Sequence, residues 1–254
     1  MDSLLKPKVP PHAGEILAWR GLAGSGRGLA IARAAESRNG PLLIVTTSSF
    51  SAQRLEDELR FYAPDLPLLP LPDWESLPYD VFSPHQDAIS QRLETLYRLP
   101  DLARGVVLAS VTTLMHRLAP RDYVAGHSFL LKVGDRLDIQ QLRERLVHAN
   151  YHSVSQVMEA GEFAVRGGLI DLFPAGSHQP YRIDLFGDQV DSIREFEPAT
   201  QRSGKPIDSI QLLPAREYPM TEAAIQHFRQ AFRARFEGDP QKVPLNRDHR
   251  LSAQ

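Results

Sequence analysis

The glycine-rich run over residues 21–28 has the spacing of a phosphate-binding loop but lacks the two side chains that act on nucleotide. The frame G-x-x-x-x-G-K-[ST] retains Gly21 and Gly26, but Arg27 stands at the lysine position and Gly28 at the hydroxyl position. Arginine cannot place a compact ammonium between phosphates, and glycine cannot ligate Mg²⁺. We therefore predict a degenerate phosphate loop without nucleotide binding. The alternative is an ATP-dependent DNA-binding or helicase-like module that uses this loop.

The other residue types that could do chemistry are too scattered to predict a catalytic or metal site. The chain has no cysteine, which excludes disulfides, thiolate metal ligands and cysteine nucleophiles. His148 and His152 are spaced i, i+4, but they straddle a helix end expected at Asn150, so their rings need not share a face. We predict neither catalytic residues nor metal ligands.

A predicted hairpin carries the more informative side chains. Alternation along residues 181–186 places Arg182, Asp184 and Phe186 on the face opposite the apolar one. Aromatic and arginine side chains that are exposed together are typical anchors of protein interfaces. Arg166, which precedes a Gly-Gly pair, can join them. One interpretation is therefore a partner-binding face.

The same pattern fits a second interpretation equally well. In it, Phe186 packs over the end of the hairpin, and Arg182 merely pairs with Asp184 or Asp191. The pair Gly187-Asp188 predicts a two-residue turn. A strict turn of that length sets Asp184 opposite Asp191, an unfavourable like-charge pair that a longer loop or a bridging arginine would relieve.

Length and composition predict a folded protein with no general affinity for polyanions. The 254 residues are 42% apolar and 24% charged, which at roughly 150 residues per domain indicates one or two domains. The formal net charge of −2 gives no basic field for nucleic acid. No stretch approaches the roughly 20 apolar residues of a membrane span, and the N-terminus has no signal-peptide core. We expect a cytoplasmic location, with which the lack of cysteine agrees.

Strand and helix patterns alternate up to about residue 120. Strands are expected at 42–46, 68–71 and 106–111, and helices at 29–37, 52–62, 85–99 and 113–118. The continuous apolar run 42–46 is expected to be buried on both faces of a parallel sheet. This alternation predicts an α/β, parallel-sheet domain over residues 1–122.

The pattern then changes to one helix and closely spaced strands. Asp138 is the expected N-cap of the helix and Asn150 its C-terminal residue. Strands are expected at 129–132, 162–166, 169–173, 181–186, 189–196 and 207–213. We predict a small inserted α+β domain over residues 123–213 and a return segment over 214–254. The return segment opens with a helix capped by Thr221, whose apolar stripe needs a partner surface.

Several long motifs resemble one known family. They are LPDWESLPYDVFSPHQD at 71–87, SQRLETLYRL at 90–99, GEFAVRGGLIDLFP at 161–174 and YRIDLFGD at 181–188. Together they resemble the N-terminal, UvrB-like module of the bacterial transcription-repair coupling factors (Mfd). The resemblance implies a degenerate helicase-like domain 1A, an inserted domain 2 that contacts UvrA, and the start of domain 1B. It also implies that Arg166, Arg182 and Phe186 bind UvrA.

The resemblance implies a function in DNA repair without catalysis by this segment. Such a module recruits UvrA to stalled transcription complexes for nucleotide excision repair. The full-length proteins of the family are ATP-dependent DNA translocases. ATP and Mg²⁺ are then used by motor domains outside this segment, and RNA polymerase and double-stranded DNA are bound by other domains. We therefore expect an adaptor that has no cofactor of its own.

Overall fold

The computed structural model describes residues 5–76 and 84–236. Its first part is a small parallel sheet with helices around it. The elements are α1 (Gly26–Ser37), β1 (Pro41–Thr46), α2 (Ser49–Tyr62), β2 (Leu68–Leu71), α3 (Gln86–Arg98), β3 (Gly105–Ser110) and α4 (Val111–Met115), with a 3₁₀ turn at Leu99–Asp101. Residues 77–83 of the motif at 71–87 and residues 237–254 of the predicted return segment lie outside the described residues.

The second part is mainly antiparallel. It contains α5 (Arg121–Gly126), β4 (Phe129–Lys132), α6 (Ile139–His148), β5 (His152–Ser153), β6 (Glu162–Arg166), β7 (Leu169–Phe173), β8 (Tyr181–Phe186), β9 (Gln189–Glu197), β10 (Arg202–Ile207) and β11 (Ser209–Leu212), and α7 (Glu222–Phe236) follows. The predicted strand at 207–213 is in fact two segments, because 202–207 pairs with β9 and 209–212 pairs with β4. The mixed α/β class is confirmed.

The parallel sheet has the strand order β1-β3-β2. All six residues of β3 are buried, and α1 and α2 cover the side of β1 that carries Leu42 and Ile44. The expectation that β1 is buried on both faces is wrong, because Leu43 and Val45 are 57% and 49% exposed. The reason is that β1 is an edge strand of the sheet. The helix α3 packs on β2, at the opposite edge, and therefore does not cover the second face of β1.

The larger sheet has six strands in the order β10-β9-β8-β7-β6-β5. One face packs on α6 and the β4–β11 ladder around a core that includes Phe163, Ile170 and Ile183. The predicted cap is confirmed, since Asp138 Oδ1 accepts hydrogen bonds from the amides of Gln140 and Gln141 at 2.7 and 3.0 Å. The opposite face carries the candidate partner-binding residues.

The helix α7 begins as predicted but exposes much of its apolar stripe. Thr221 Oγ1 accepts a hydrogen bond from the amide of Ala224 at 3.3 Å. Ile225 and Phe232 are half-buried, whereas Phe228 is exposed. In the two described ranges, no helix combines the length and the apolar character needed to cross a membrane.

Candidate partner-binding face

The β8–β9 hairpin has the predicted two-residue turn at Gly187-Asp188, and a bulge next to it sets the register that the sequence left open. Gly187 has a φ of 64°, which suits the tight turn. Phe186 pairs with Gln189 and Leu185 with Val190, after which the register shifts so that Asp184 pairs with Ser192. Asp191 is thus the extra residue of a β-bulge, and this bulge, rather than a longer loop or a bridging arginine, keeps Asp184 from facing Asp191. Ser192 Oγ instead donates a hydrogen bond to Asp184 Oδ2 at 3.1 Å.

Phe186 projects from the end of the hairpin, which is hydrogen-bonded to the loop between β4 and α6. Its side chain is 82% exposed, so it does not pack over the hairpin as the second interpretation required. The amide of Gly134 donates to Val190 O at 2.8 Å, and the amide of Leu137 donates to Asp188 O at 2.7 Å. The loop between β4 and α6 therefore holds the hairpin end in place and leaves the aromatic ring free for contact.

Arg182 is held inside the face rather than displayed on it. Its Nε and Nη2 atoms donate to Asp171 Oδ1 and Oδ2 at 2.6 and 2.9 Å, and Nη1 donates to Gln201 O at 3.1 Å. The guanidinium also lies 5.1 Å from the centre of the Phe196 ring. Hydrogen bonding to Asp171 raises the pKa of Arg182 above its ordinary value, against a smaller opposing effect of burial. The expectation of a freely exposed Arg182 is therefore wrong, and so is pairing with Asp184 or Asp191.

Arg166 is the exposed arginine of the set. It ends β6 before a turn in which Gly167 has a φ of 63°, and its Nη2 donates to Ser155 O at 2.8 Å. Across the sheet, Arg166 pairs with Leu169 and Leu169 pairs with Asp184. Since neighbouring strands lie about 4.8 Å apart, Arg166 is roughly 10 Å from the β8 position between Arg182 and Phe186. Alternation places all three predicted residues on the sheet face away from α6.

The glycine-rich loop does not adopt the setting of a phosphate loop. α1 begins at Gly26, and within residues 5–25 no strand precedes it. Tyr62, the last residue of α2, donates its hydroxyl hydrogen to Ser25 Oγ at 2.9 Å. A Cβ at Gly28 would overlap the carboxylate of Glu58. The first turn of α1 thus packs on the last turn of α2, at the amino ends of the strands, whereas phosphate loops follow a strand at its carboxyl end.

His148 and His152 have different hydrogen-bond partners. His148 Nδ1 lies 2.7 Å from Glu144 O, and His152 Nε2 lies 3.4 Å from Arg216 Nη2. Among residues 5–76 and 84–236, no group of three or more His, Cys, Asp or Glu side chains is arranged to hold a metal ion.

Comparison with known proteins shows that the segment carrying this face is similar to a known domain. Residues 129–218 match the family model of the UvrB interaction domain. The transcription-repair-coupling factor of Escherichia coli (strain K12) is 45% identical over 237 residues, which are 92% of this chain and 21% of that protein. The predicted resemblance to the coupling factors is confirmed.

Other coupling factors match over the same extent. The protein of Haemophilus influenzae is 42% identical over 235 residues, covering 92% of this chain and 20% of that protein. That of Staphylococcus aureus (strain Mu50) is 32% identical over 225 residues, covering 88% and 19%. The chain thus spans about a fifth of the length of the coupling factors that it matches.

Asp171, in the motif at 161–174, was not predicted as a site residue, but it holds Arg182 in place on this face. Asp171 is only 1% exposed, and it stands directly opposite Arg182 on the neighbouring strand. A single acidic residue inside the apolar run Leu169–Phe173 was the available signal, because a buried carboxylate requires a cationic or hydrogen-bonding partner. Only the strand order identifies that partner.

Proposed function

We propose that this chain is an adaptor module of a transcription-repair coupling factor that recruits UvrA to stalled transcription complexes for nucleotide excision repair. The observation that carries the proposal is the position of Phe186, an exposed aromatic residue on the same sheet face as Arg166 and Arg182. This face lies within residues 129–218, the segment that matches the UvrB interaction domain.

Phe186 is the proposed apolar anchor. Moving a phenylalanine side chain from water into a pocket of UvrA contributes about 2 kcal/mol, which suits a residue that dominates an interface. The backbone hydrogen bonds from Gly134 and Leu137 already order the hairpin before binding. Little conformational entropy is then lost when the partner binds.

The two arginines have different proposed roles. Arg166 donates one hydrogen bond, to the backbone carbonyl of Ser155, and its exposed guanidinium is suited to an acidic group on UvrA. Arg182 is bonded to Asp171 on its Nε and Nη2 atoms. It therefore fixes the shape of the face and offers only its remaining N–H groups to the partner.

We also propose that this segment has no ATPase activity. The packing of Gly28 against Glu58 and the lack of a preceding strand in residues 5–25 support this part. The helicase-like origin of domain 1A, over residues 1–122, is supported by the three parallel strands and their helices. Contacts with RNA polymerase and double-stranded DNA, and the use of ATP and Mg²⁺, are proposed for the other four-fifths or so of the full-length relatives.

Calorimetric titration with purified UvrA tests the proposal. We expect saturable binding by the parent chain and a large loss for Phe186→Ala and Arg166→Ala. Matched controls are Phe50→Ala, which removes a 79% exposed phenylalanine from α2, and Arg143→Ala, which removes an exposed arginine from α6. Binding that is absent in the parent, or equally weakened by the controls, would overturn the proposal.

A further inference from the structure

A completely buried arginine lies between the two parts of the molecule. Arg92, in the middle of α3, is 0% exposed. Its Nε and Nη2 atoms donate to Glu217 Oε1 and Oε2 at 2.5 and 3.1 Å, and its Nη1 donates to Pro72 O at 2.7 Å. Trp74 completes the group, because its Nε1 donates to Glu217 Oε1 at 2.8 Å and its ring lies 5.0 Å from the guanidinium carbon.

These residues lie on both sides of the mainly antiparallel part in the sequence. Pro72, Trp74 and Arg92 precede that part, whereas Glu217 follows its last strand, β11. The ion pair therefore joins α3 to the point where the chain leaves the second part. It spans 125 residues of sequence.

Further contacts fix the second part on the same helix. Gln86 Nε2 donates to Ala215 O at 3.0 Å, and the amide of Gly176, in the β7–β8 loop, donates to Ser90 Oγ at 2.6 Å. An apolar cluster joins α3 to α5 and to residues just after β7 and β11, with Ile89, Leu93, Val124, Ala175 and Leu213 at its centre. α3 thus contacts three segments of the second part. These are α5 at its beginning, Ala215 and Glu217 after its last strand, and the β7–β8 loop between them.

We propose that Arg92, Glu217 and Trp74 are positioning residues that lock the UvrB-interaction segment in one orientation on α3. Domains of one chain normally move relative to each other unless their interface is extensive and apolar. Here, separation of the two parts would break both charge-assisted hydrogen bonds between Arg92 and Glu217 and the apolar contacts of α3 at the same time. The docked arrangement satisfies all three groups at once.

The lock gives the partner-binding face a fixed direction. A protein held at Phe186 would be placed at one position relative to the parallel sheet of the first part. This consequence rests on the proposed function, whereas the lock itself does not require UvrA. Its test can therefore be made on the chain alone.

Distances between two spin labels test the lock directly. The chain has no cysteine, so labels can be attached at Gln53→Cys in α2 and Arg143→Cys in α6, both exposed positions. We expect one narrow distance distribution for the labelled parent. Glu217→Gln, which removes the carboxylate charge but keeps the side-chain size, should add a second population at a different distance.

The matched control breaks another ion pair on the same helix. Arg98→Gln removes the exposed Arg98–Glu94 pair of α3, and it should leave the distribution narrow. If Glu217→Gln does not fold, Trp74→Phe leaves the ion pair intact but removes the indole hydrogen bond and part of the ring system beside Arg92, and it should broaden the distribution in a folded chain. Folded lock variants with the parent's distribution would overturn the lock. Failure of the parent to bind UvrA would overturn the proposed function alone.

Discussion

Asp171 and Arg182 face each other on adjacent strands, and the fully buried carboxylate of Asp171 holds the guanidinium by two hydrogen bonds of 2.6 and 2.9 Å. The pair lies at the centre of the face that also carries Arg166 and Phe186. A buried carboxylate of this kind is stable only with its cation in place. The two residues thus depend on each other for the shape of the face.

Asp171→Asn should therefore destabilise the fold and weaken UvrA binding together. Removing one partner of a buried ion pair costs about 3 kcal/mol. Urea unfolding and calorimetric titration measure the two effects. Asp191→Asn is the matched control, since Asp191 is the exposed bulge residue of the same sheet, and it should change stability by less than about 0.5 kcal/mol. Equal stability of Asp171→Asn and the parent would contradict the role of the pair.

Restoring the consensus phosphate-loop residues should not restore nucleotide binding. Gly28→Thr places a side chain where the carboxylate of Glu58 lies, and such overpacking costs about 1–3 kcal/mol. We expect Arg27→Lys/Gly28→Thr to melt at a lower temperature than the parent and to gain no thermal stabilisation from ATP and Mg²⁺. Arg27→Lys alone is the control for the exposed position. A nucleotide-dependent rise in melting temperature would show that this region still accepts phosphate.

Alkaline pH should destabilise the fold through Tyr123 and Tyr151. Burial raises the pKa of Tyr123 to about 12, and burial also raises the pKa of Tyr151. In the unfolded chain these phenols ionise near pH 10. Between about pH 10 and 12 the unfolded state therefore binds fewer protons than the folded state, so stability is complete below pH 10 and is lost as the pH rises.

Melting temperatures from pH 8 to 11.5 measure this effect. Tyr123→Phe loses the hydrogen bond from its hydroxyl to Arg216 O, which is 3.1 Å long, and should melt earlier than the parent at pH 8. Its further decline above pH 10 should be shallower, because one of these two phenols with a raised pKa is gone. A decline as steep as that of the parent would assign the alkaline sensitivity to other groups.

The two valines of neighbouring strands should respond differently to the same substitution. Val45, in β1, is half exposed, whereas Val106, in β3, is completely buried. Val45→Thr should change the free energy of unfolding by less than about 0.5 kcal/mol. Val106→Thr buries a hydroxyl without an assured partner and should cost about 1–3 kcal/mol. Equal effects in urea unfolding would mean that the open face of β1 is covered in solution.

Local patterns determined most of the secondary structure and part of the face. Alternation over residues 181–186 places Phe186 and Arg182 on one side of β8, and Asp138 caps α6 as predicted. These features depend on residues within a few positions of each other, so side-chain alternation and N-capping can be predicted from the sequence alone. The family motifs added the likeness to the coupling factors.

Contacts between distant residues were decided by the tertiary structure. Asp171 meets Arg182 only because β7 lies beside β8, and Arg92 meets Glu217 only because the chain returns to α3 after 125 residues. Gly28 is a similar case. Its spacing in the sequence fits a phosphate loop, but in the structure Glu58 of α2 packs against it. A residue's own neighbours in sequence specify its backbone conformation and its face, whereas the partner of a buried charge is specified by strand order and helix packing.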